Sequence, residues 1–412
     1  NYTYPPEIKS ELRTVIGKYQ IHPRIIYEEN REEEFATAVW EVTEIQARTM
    51  LYLMEKYPWD FSMIVFNGPD QLQHALWKYV DPLHPDYDVK NAKKYVELLL
   101  NYYKKLDAII ALLKKEAGSD TVTVIMSDHG FGPLYKFIHV NQWLIKNRLL
   151  RFKHTPLTLV KWLLYRFGLT PERLYNLLLK MHFGTVRSKL GRHRGHKLLS
   201  KFFLSFKDID WDNTVAFSFG AMGQIYINAK VSRNPEKYYE VLEQIKALLY
   251  QLKDPETDKG VIEKVYYKRE IYRGRFLDRM PDIVFIPKLG YMAFEEYEFA
   301  SNRIFTKPHG ISGTHRLNGI FIMNGPYIAR KGLLRTSIKI EDLAPTILFI
   351  LGLPIPVDMD GSLITEAFEE YFLKTHPVKY KAKSEKERIK EKIRLLSKRL
   401  LSMEKRYEDS FH

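Results

Sequence analysis

Three places in the 412-residue chain put groups with metal-ligating or proton-transfer chemistry next to apolar runs. In "TVTVIMSDHG" (121–130) an apolar and β-branched run ends in Asp128 and His129, followed by a glycine that lets the backbone turn. In "VFNGPDQLQHALW" (65–77) a second apolar run leads into Asp70 and His74. If a helix starts there, this i,i+4 spacing puts both side chains on one face, within reach of a single ion. In "TKPHGISGTHRLNGIFIMNGP" (306–326) a Gly-containing loop supplies His309 and His315 just ahead of a third run. Asp70, His74 and one of these two histidines make three oxygen and nitrogen ligands with room for a fourth, the pattern of a catalytic divalent site. A lone Asp-His pair is more often a helix cap or a loop residue, and the recurrence at two run ends is what argues for ligands. His22, His84, His139 and the group at 182, 193 and 196 have no such partners and are read as packing or solvent-facing residues.

The elements that must position these groups follow from periodicity. Apolar residues recur at three- and four-residue spacing over 32–57 and 89–118, predicting two long helices, the second closed by Gly118. Compact apolar runs at 59–68, 121–127, 214–229, 281–288 and 317–325 predict strands, and 339–353 predicts a helix ending near Gly352. Helix followed by buried strand, repeated, implies crossovers and therefore an α/β fold, doubly wound, with a mostly parallel sheet and helices on both faces. In such sheets the ligand crevice lies at the carboxyl ends of the strands, where Asp128 and His129 fall.

Composition bounds the rest. Hydrophobic content of 45% and aromatic content of 14% belong to a chain with a core, not to a disordered one. With no cysteine there is no disulfide and no thiolate ligand, so a transition metal would need His and carboxylates. No apolar run reaches membrane-spanning length, and abundant Lys, Arg and Glu suit a thermophile's cytoplasm.

The net charge of +14 is local. Residues 151–205 hold twelve Lys and Arg against one acid, Glu172, leaving about +3 for the remainder. The expected organisation is an α/β core at 1–150, a basic helical cap at 151–205, a second core part at 206–375 and a basic amphipathic helix at 376–412. Ile389, Ile393, Leu396, Leu400, Met403 and Tyr407 form an a/d stripe in that last helix, suited to docking on the chain itself or on a sister subunit in a homo-oligomer. The cap's cations suit a polyanion, whether an anionic polymer or a lipid headgroup.

"MSDHGFG", with "DQLQH" before it and "SGTHRLNGIFIMNGP" and "IEDLAPTILFILGLPIPVDMDG" after it, resembles the type I phosphodiesterase/nucleotide pyrophosphatase family of the alkaline phosphatase superfamily. The resemblance covers most of residues 1–375 outside the basic insertion. It implies a doubly wound core with two divalent metals, zinc or manganese, and a phosphate-containing small molecule or nucleotide as substrate. Asp70, His74 and His315 are then ligands of one metal, with His309 as the alternative to His315, and Asp128 and His129 are ligands of the other. Arg316, beside His315, is a candidate substrate contact.

The family's nucleophilic Thr or Ser, and an Asp preceding it, have no counterpart in this chain. Thr3, Ser62 and Ser127 lack the turn that would aim a hydroxyl at a metal, so the chain is expected to be the carboxyl portion of a longer hydrolase. The reaction implied is two-metal phosphoryl transfer on phosphodiesters or nucleotide pyrophosphates. The same ligands would serve a phosphomonoester, phosphonate or sulfate ester hydrolase, or a non-catalytic metal-binding or interaction protein.

Overall fold

The computed structural model describes residues 3–174, 202–220, 222–274, 276–294, 299–335 and 337–382. Residues 175–201, about half of the basic cap, and residues 383–412 of the C-terminal segment therefore lie outside the described residues, including the a/d stripe. No helix among the described residues is long and apolar enough to cross a membrane. The chain divides into two compact units, one drawn from Asn1–Met50, Ile64–Ile109 and His129–Asn318, the other from Leu51–Met63, Ile110–Asp128 and Gly319–His412.

The two long helices form as their periodicity predicts: α2 spans Glu32–Lys56 and α4 spans Val89–Ala117, with Gly118 at φ +81 ending the latter. The short α1 (Ile8–Val15) precedes them. Between them α3 (Gly68–Val80) starts with Pro69 in its first turn, where the missing N–H costs nothing. Gly68 is buried, and a Cβ there would collide with the Tyr102 hydroxyl of α4, so only glycine lets the start of α3 approach this closely.

In the first unit the three helices are tied by one carboxylate. Glu32, 2% exposed, accepts from the hydroxyls of Tyr27 at 3.1 Å, Tyr79 at 2.8 Å and Tyr95 at 3.4 Å. Burial alone would raise its pKa. The hydrogen bonds from backbone N–H groups and from Tyr79 and Tyr27 outweigh it and hold the carboxyl below its ordinary value.

Strand β2 (Gly130–Ile138) is the hub of the site-bearing sheet. It pairs in parallel with β7 (Gly290–Ala293) and antiparallel with β8 (Phe305–Thr306) and β9 (Gly313–Arg316). Helices α5 (Val140–Lys146) and α6 (Pro156–Arg166) follow it. A second sheet runs β3 (Ala216–Ser218), β4 (Gln224–Ile227), β6 (Ile283–Pro287), β5 (Ile262–Tyr267), every neighbour antiparallel. Helix α7 (Pro235–Tyr250) packs Val241, Leu242, Ile245 and Leu249 into the same apolar cluster as Ile225, Ile283 and Phe285.

In the second unit β1 (Thr123–Met126) pairs antiparallel with β10 (Phe321–Asn324), and Ser127 extends that ladder by donating its N–H to Ile320 O at 3.1 Å. Its core gathers Phe349 of α8 (Leu343–Ile350) with Ile328, Ile355, Phe368 and Phe372. Strands β11 (Ile355–Pro356) and β12 (Tyr380–Lys381) pair in parallel.

Helices and sheets mix as an α/β chain requires, but a single doubly wound, mostly parallel sheet is not borne out among the described residues. The sheets are several, small and mostly antiparallel. The apolar run at 59–68 joins no sheet among the described residues, and its Phe61, Met63 and Val65 are exposed. A strand exists only through its ladder partner, and alternation within one segment carries no information about whether a partner is present or which way it runs.

Candidate metal centre

Asp70 and His74 lie on successive turns of α3, so the helix period brings them to one face, where Asp70 Oδ1 stands 3.4 Å from His74 Nε2. His315 lies on β9 opposite Phe131 of β2, and its Nε2 reaches Asp70 Oδ1 at 3.1 Å and His74 Nε2 at 3.0 Å. One ligand atom from each of the three lies within 4.8 Å of the others. Among the described residues this is the group of ligating side chains close enough to hold one ion.

Strand and helix are locked together beside this cluster. The Ser312 N–H donates to His74 O at 2.7 Å, and its hydroxyl donates to Ala75 O at 3.0 Å and accepts from Lys78 N at 3.0 Å. A Cβ on Gly313 would lie 2.6 Å from Gln73 O and 2.9 Å from Trp77 Cβ, so the strand touches the helix backbone where no side chain fits. His74 Nδ1 donates to Gly313 O at 2.8 Å, which leaves the Nε2 lone pair directed at Asp70 and His315. Behind them His84, 4% exposed, donates Nε2–H to both Leu134 O and Ser312 O at 3.1 Å. It ties β2 to the segment that carries His315, a role that the sequence reading of a packing or solvent-facing histidine does not contain.

His129 arrives at the same carboxylate. Its ring stacks on His315 with centroids 3.8 Å apart and planes 23° apart, and its Nε2 is 3.7 Å from Asp70 Oδ1. Phe131 stands edge-on to His74, centroids 4.8 Å apart, and closes one side of the cluster with an apolar wall. Asp128 belongs to the second unit, at the end of β1, whereas His129 belongs to the first.

Burial would raise the Asp70 carboxyl, but the hydrogen bond from His315 and the charges of His74, His315 and His129 prevail and hold it low. Burial dominates at His74 and pushes its imidazole below the ordinary value despite Asp70 and Gly313. An anionic Asp70 beside a neutral His74 imidazole is the protonation state that binds a cation. Two imidazole Nε2 atoms 3.0 Å apart have nothing to share between them unless a proton or a cation lies there. The donor set therefore fits a divalent ion that takes nitrogen and oxygen ligands, such as zinc or manganese.

The remaining candidates sit apart from this cluster. His309 is exposed in the loop before β9 and is outside the three-residue group. Arg316 follows His315 on β9, so strand alternation turns it to the opposite face. There Nη2 donates to Pro133 O at 3.2 Å, Nε is buried without a hydrogen-bond partner, and burial lowers the guanidinium's pKa against Glu263 and Tyr135. Thr3 gives its hydroxyl to Pro6 O at 3.3 Å, and Ser127 Oγ accepts from Ile320 N at 2.8 Å, ordinary turn and ladder roles.

A carboxylate and two imidazoles gathered between a helix and a strand edge are a group that could hold one metal ion. The chain belongs to the type I phosphodiesterase/nucleotide pyrophosphatase family, whose model matches residues 3–315. That membership makes it a phosphodiesterase/pyrophosphatase-type hydrolase. No curated protein and no solved structure matches it.

Proposed function

We propose that the chain takes part in metal-dependent hydrolysis of phosphodiester or nucleotide pyrophosphate bonds, with Asp70, His74 and His315 holding one divalent ion. The observation that carries this is the convergence of His74 Nε2 and His315 Nε2 on Asp70 Oδ1, at 3.4 and 3.1 Å. A divalent ion bound there would supply a Lewis acid for a phosphoryl oxygen and offset the charge that builds on it during transfer. Asp70 provides the negative charge, Gly313 O keeps His74 in the tautomer that presents Nε2, and Phe131 keeps water from one side. His129, stacked on His315 and 3.7 Å from the same carboxylate, is the first-unit residue that would ligate the second ion the family resemblance implies.

The test is hydrolysis of a chromogenic phosphodiester by the chain supplied with zinc or manganese, beside a phosphomonoester and a sulfate ester, together with metal analysis. The expected result is metal bound by the chain and lost in His74→Ala and in His315→Ala, with any diester cleavage abolished by a chelator. Metal content unchanged in both variants would overturn the ligand assignment. Cleavage of the sulfate ester alone would overturn the substrate class.

A further inference from the structure

Helix α6 is turned inside out. It buries Thr158, Lys161 and Tyr165, while Leu157, Leu159, Val160, Leu163 and Leu164 are exposed and Phe167, just past its end, is 82% exposed. The buried polar stripe is fully engaged. Lys161 Nζ meets Asp208 Oδ2 at 3.1 Å with both side chains under a tenth exposed, and Thr158 Oγ1 donates to Asp208 Oδ1 at 3.1 Å. The Tyr165 hydroxyl lies 2.9 Å from Gln142 Oε1 and also meets Ser301 O.

This orientation runs against solvation. Leaving a leucine in water forgoes about 1.5–3 kcal/mol relative to burying it. A buried ion pair gives little net stability in return, because desolvation offsets its attraction. Contiguous outward apolar surface of this kind marks an interaction site.

Charge identifies the occupant. Arg151, Lys153, Arg166 and Arg173, close to this face in sequence, are exposed. Over residues 151–174 there are five Lys and Arg, of which Lys161 is buried against Asp208, and one acid, Glu172. Two copies docked face to face would oppose two such positive excesses across low-dielectric leucines, which is unfavourable. An apolar face with a cationic rim matches the boundary between headgroups and acyl chains of an anionic bilayer, where leucines leave water and cations meet phosphates. Eleven residues of helix are too short to span, so the element would lie along the surface.

We infer that α6 and the turn after it dock this protein on anionic lipid bilayers, apolar face down. The inference rests on α6 alone and is independent of the metal centre. The experiment is co-sedimentation of the full 412-residue chain with phosphatidylcholine vesicles and with vesicles containing about one third phosphatidylglycerol. Binding to the anionic vesicles is expected to exceed binding to the neutral ones by about 10-fold, and to fall by about 10-fold in the combined variant Leu159→Ser, Leu163→Ser, Phe167→Ser. These positions are exposed, so the variant's melting curve and metal content should match the parent's. The chain has no cysteine, so Phe167→Cys accepts a single environment-sensitive dye, whose emission should shift to the blue on anionic vesicles. The inference is overturned if the parent chain stays in the supernatant with both vesicles. It is equally overturned if the triple variant pellets like the parent, if the dye does not respond, or if this face instead dimerises the chain in solution.

Discussion

The Nε2 atoms of His74 and His315, 241 residues apart in sequence, stand 3.0 Å from each other, and both face Asp70 Oδ1. The closeness depends on β9 lying flush against α3, which the Gly313 backbone and the Ser312 hydroxyl enforce.

Replacing Ser312 with alanine removes the acceptor for Lys78 N–H and the donor to Ala75 O. The expected cost is about 1–2 kcal/mol in denaturant unfolding. Zinc affinity, measured by competition with a chromogenic chelator, should also fall by about 10-fold or more, as for lost outer-shell support. Ser312→Thr keeps the hydroxyl and should recover much of the affinity; equal affinity in the parent and Ser312→Ala would show that the clasp does not position the ligands.

Gly313→Ala presses a methyl onto Gln73 O, Phe131 and Trp77. The strand must then move off the helix, and His74 loses its carbonyl partner. Overpacking of this kind costs about 2 kcal/mol. Thermal melts should show the loss, and a variant as stable as the parent would mean that β9 tolerates the shift.

Lys161→Met leaves Asp208 buried with only hydroxyl and backbone N–H donors, from Thr158 and Ser205. Breaking one side of a buried pair costs roughly 3–5 kcal/mol. The double change Lys161→Met with Asp208→Leu should recover most of it, and urea unfolding of the parent, both single variants and the double variant measures the cycle. Equal stability of the parent and Lys161→Met would show that the pair is not what holds α6 down.

His139 sets a pH dependence that is separate from the metal ligands. It is 2% exposed, its Nε2 pairs with Thr306 Oγ1 at 2.8 Å, and its Nδ1 has no hydrogen-bond partner. Burial lowers its pKa to about 4. Above the ordinary histidine value of about 6.5, neither the folded nor the unfolded chain carries the proton. Between that value and about 4 the unfolded chain binds a proton that the folded chain refuses, so stability falls as pH falls, by roughly 3 kcal/mol across the window. In His139→Gln this part of the slope should vanish from unfolding free energies measured between pH 7 and about pH 4. An unchanged slope would place the acid sensitivity elsewhere.

How much of this was legible in the sequence differs by element. The pairing of Asp70 with His74 was readable because a helix has a fixed period, and α2, α3 and α4 obey it. His315 as their partner came from family resemblance, since spacing left His309 equally open. Glu32 and His84 gave no signal: a glutamate among three at the start of a helix, and a histidine in a turn, look like surface residues until their partners are in place. The inverted α6 misleads in the opposite sense, because its leucines have core-like spacing and face water.

By itself, the sequence determined what is local: the two long helices and their ends, the absence of thiolate chemistry, the basic stretch after Arg151, and two ligands one turn apart on α3. Tertiary structure alone decided the ladder partners of the strands and their mostly antiparallel direction, which face of α6 is buried, and that His129 stacks on His315 beside Asp70. The physical reason is that a helix closes its hydrogen bonds within one segment. A strand, a buried ion pair and a coordination site each complete theirs with residues far along the chain.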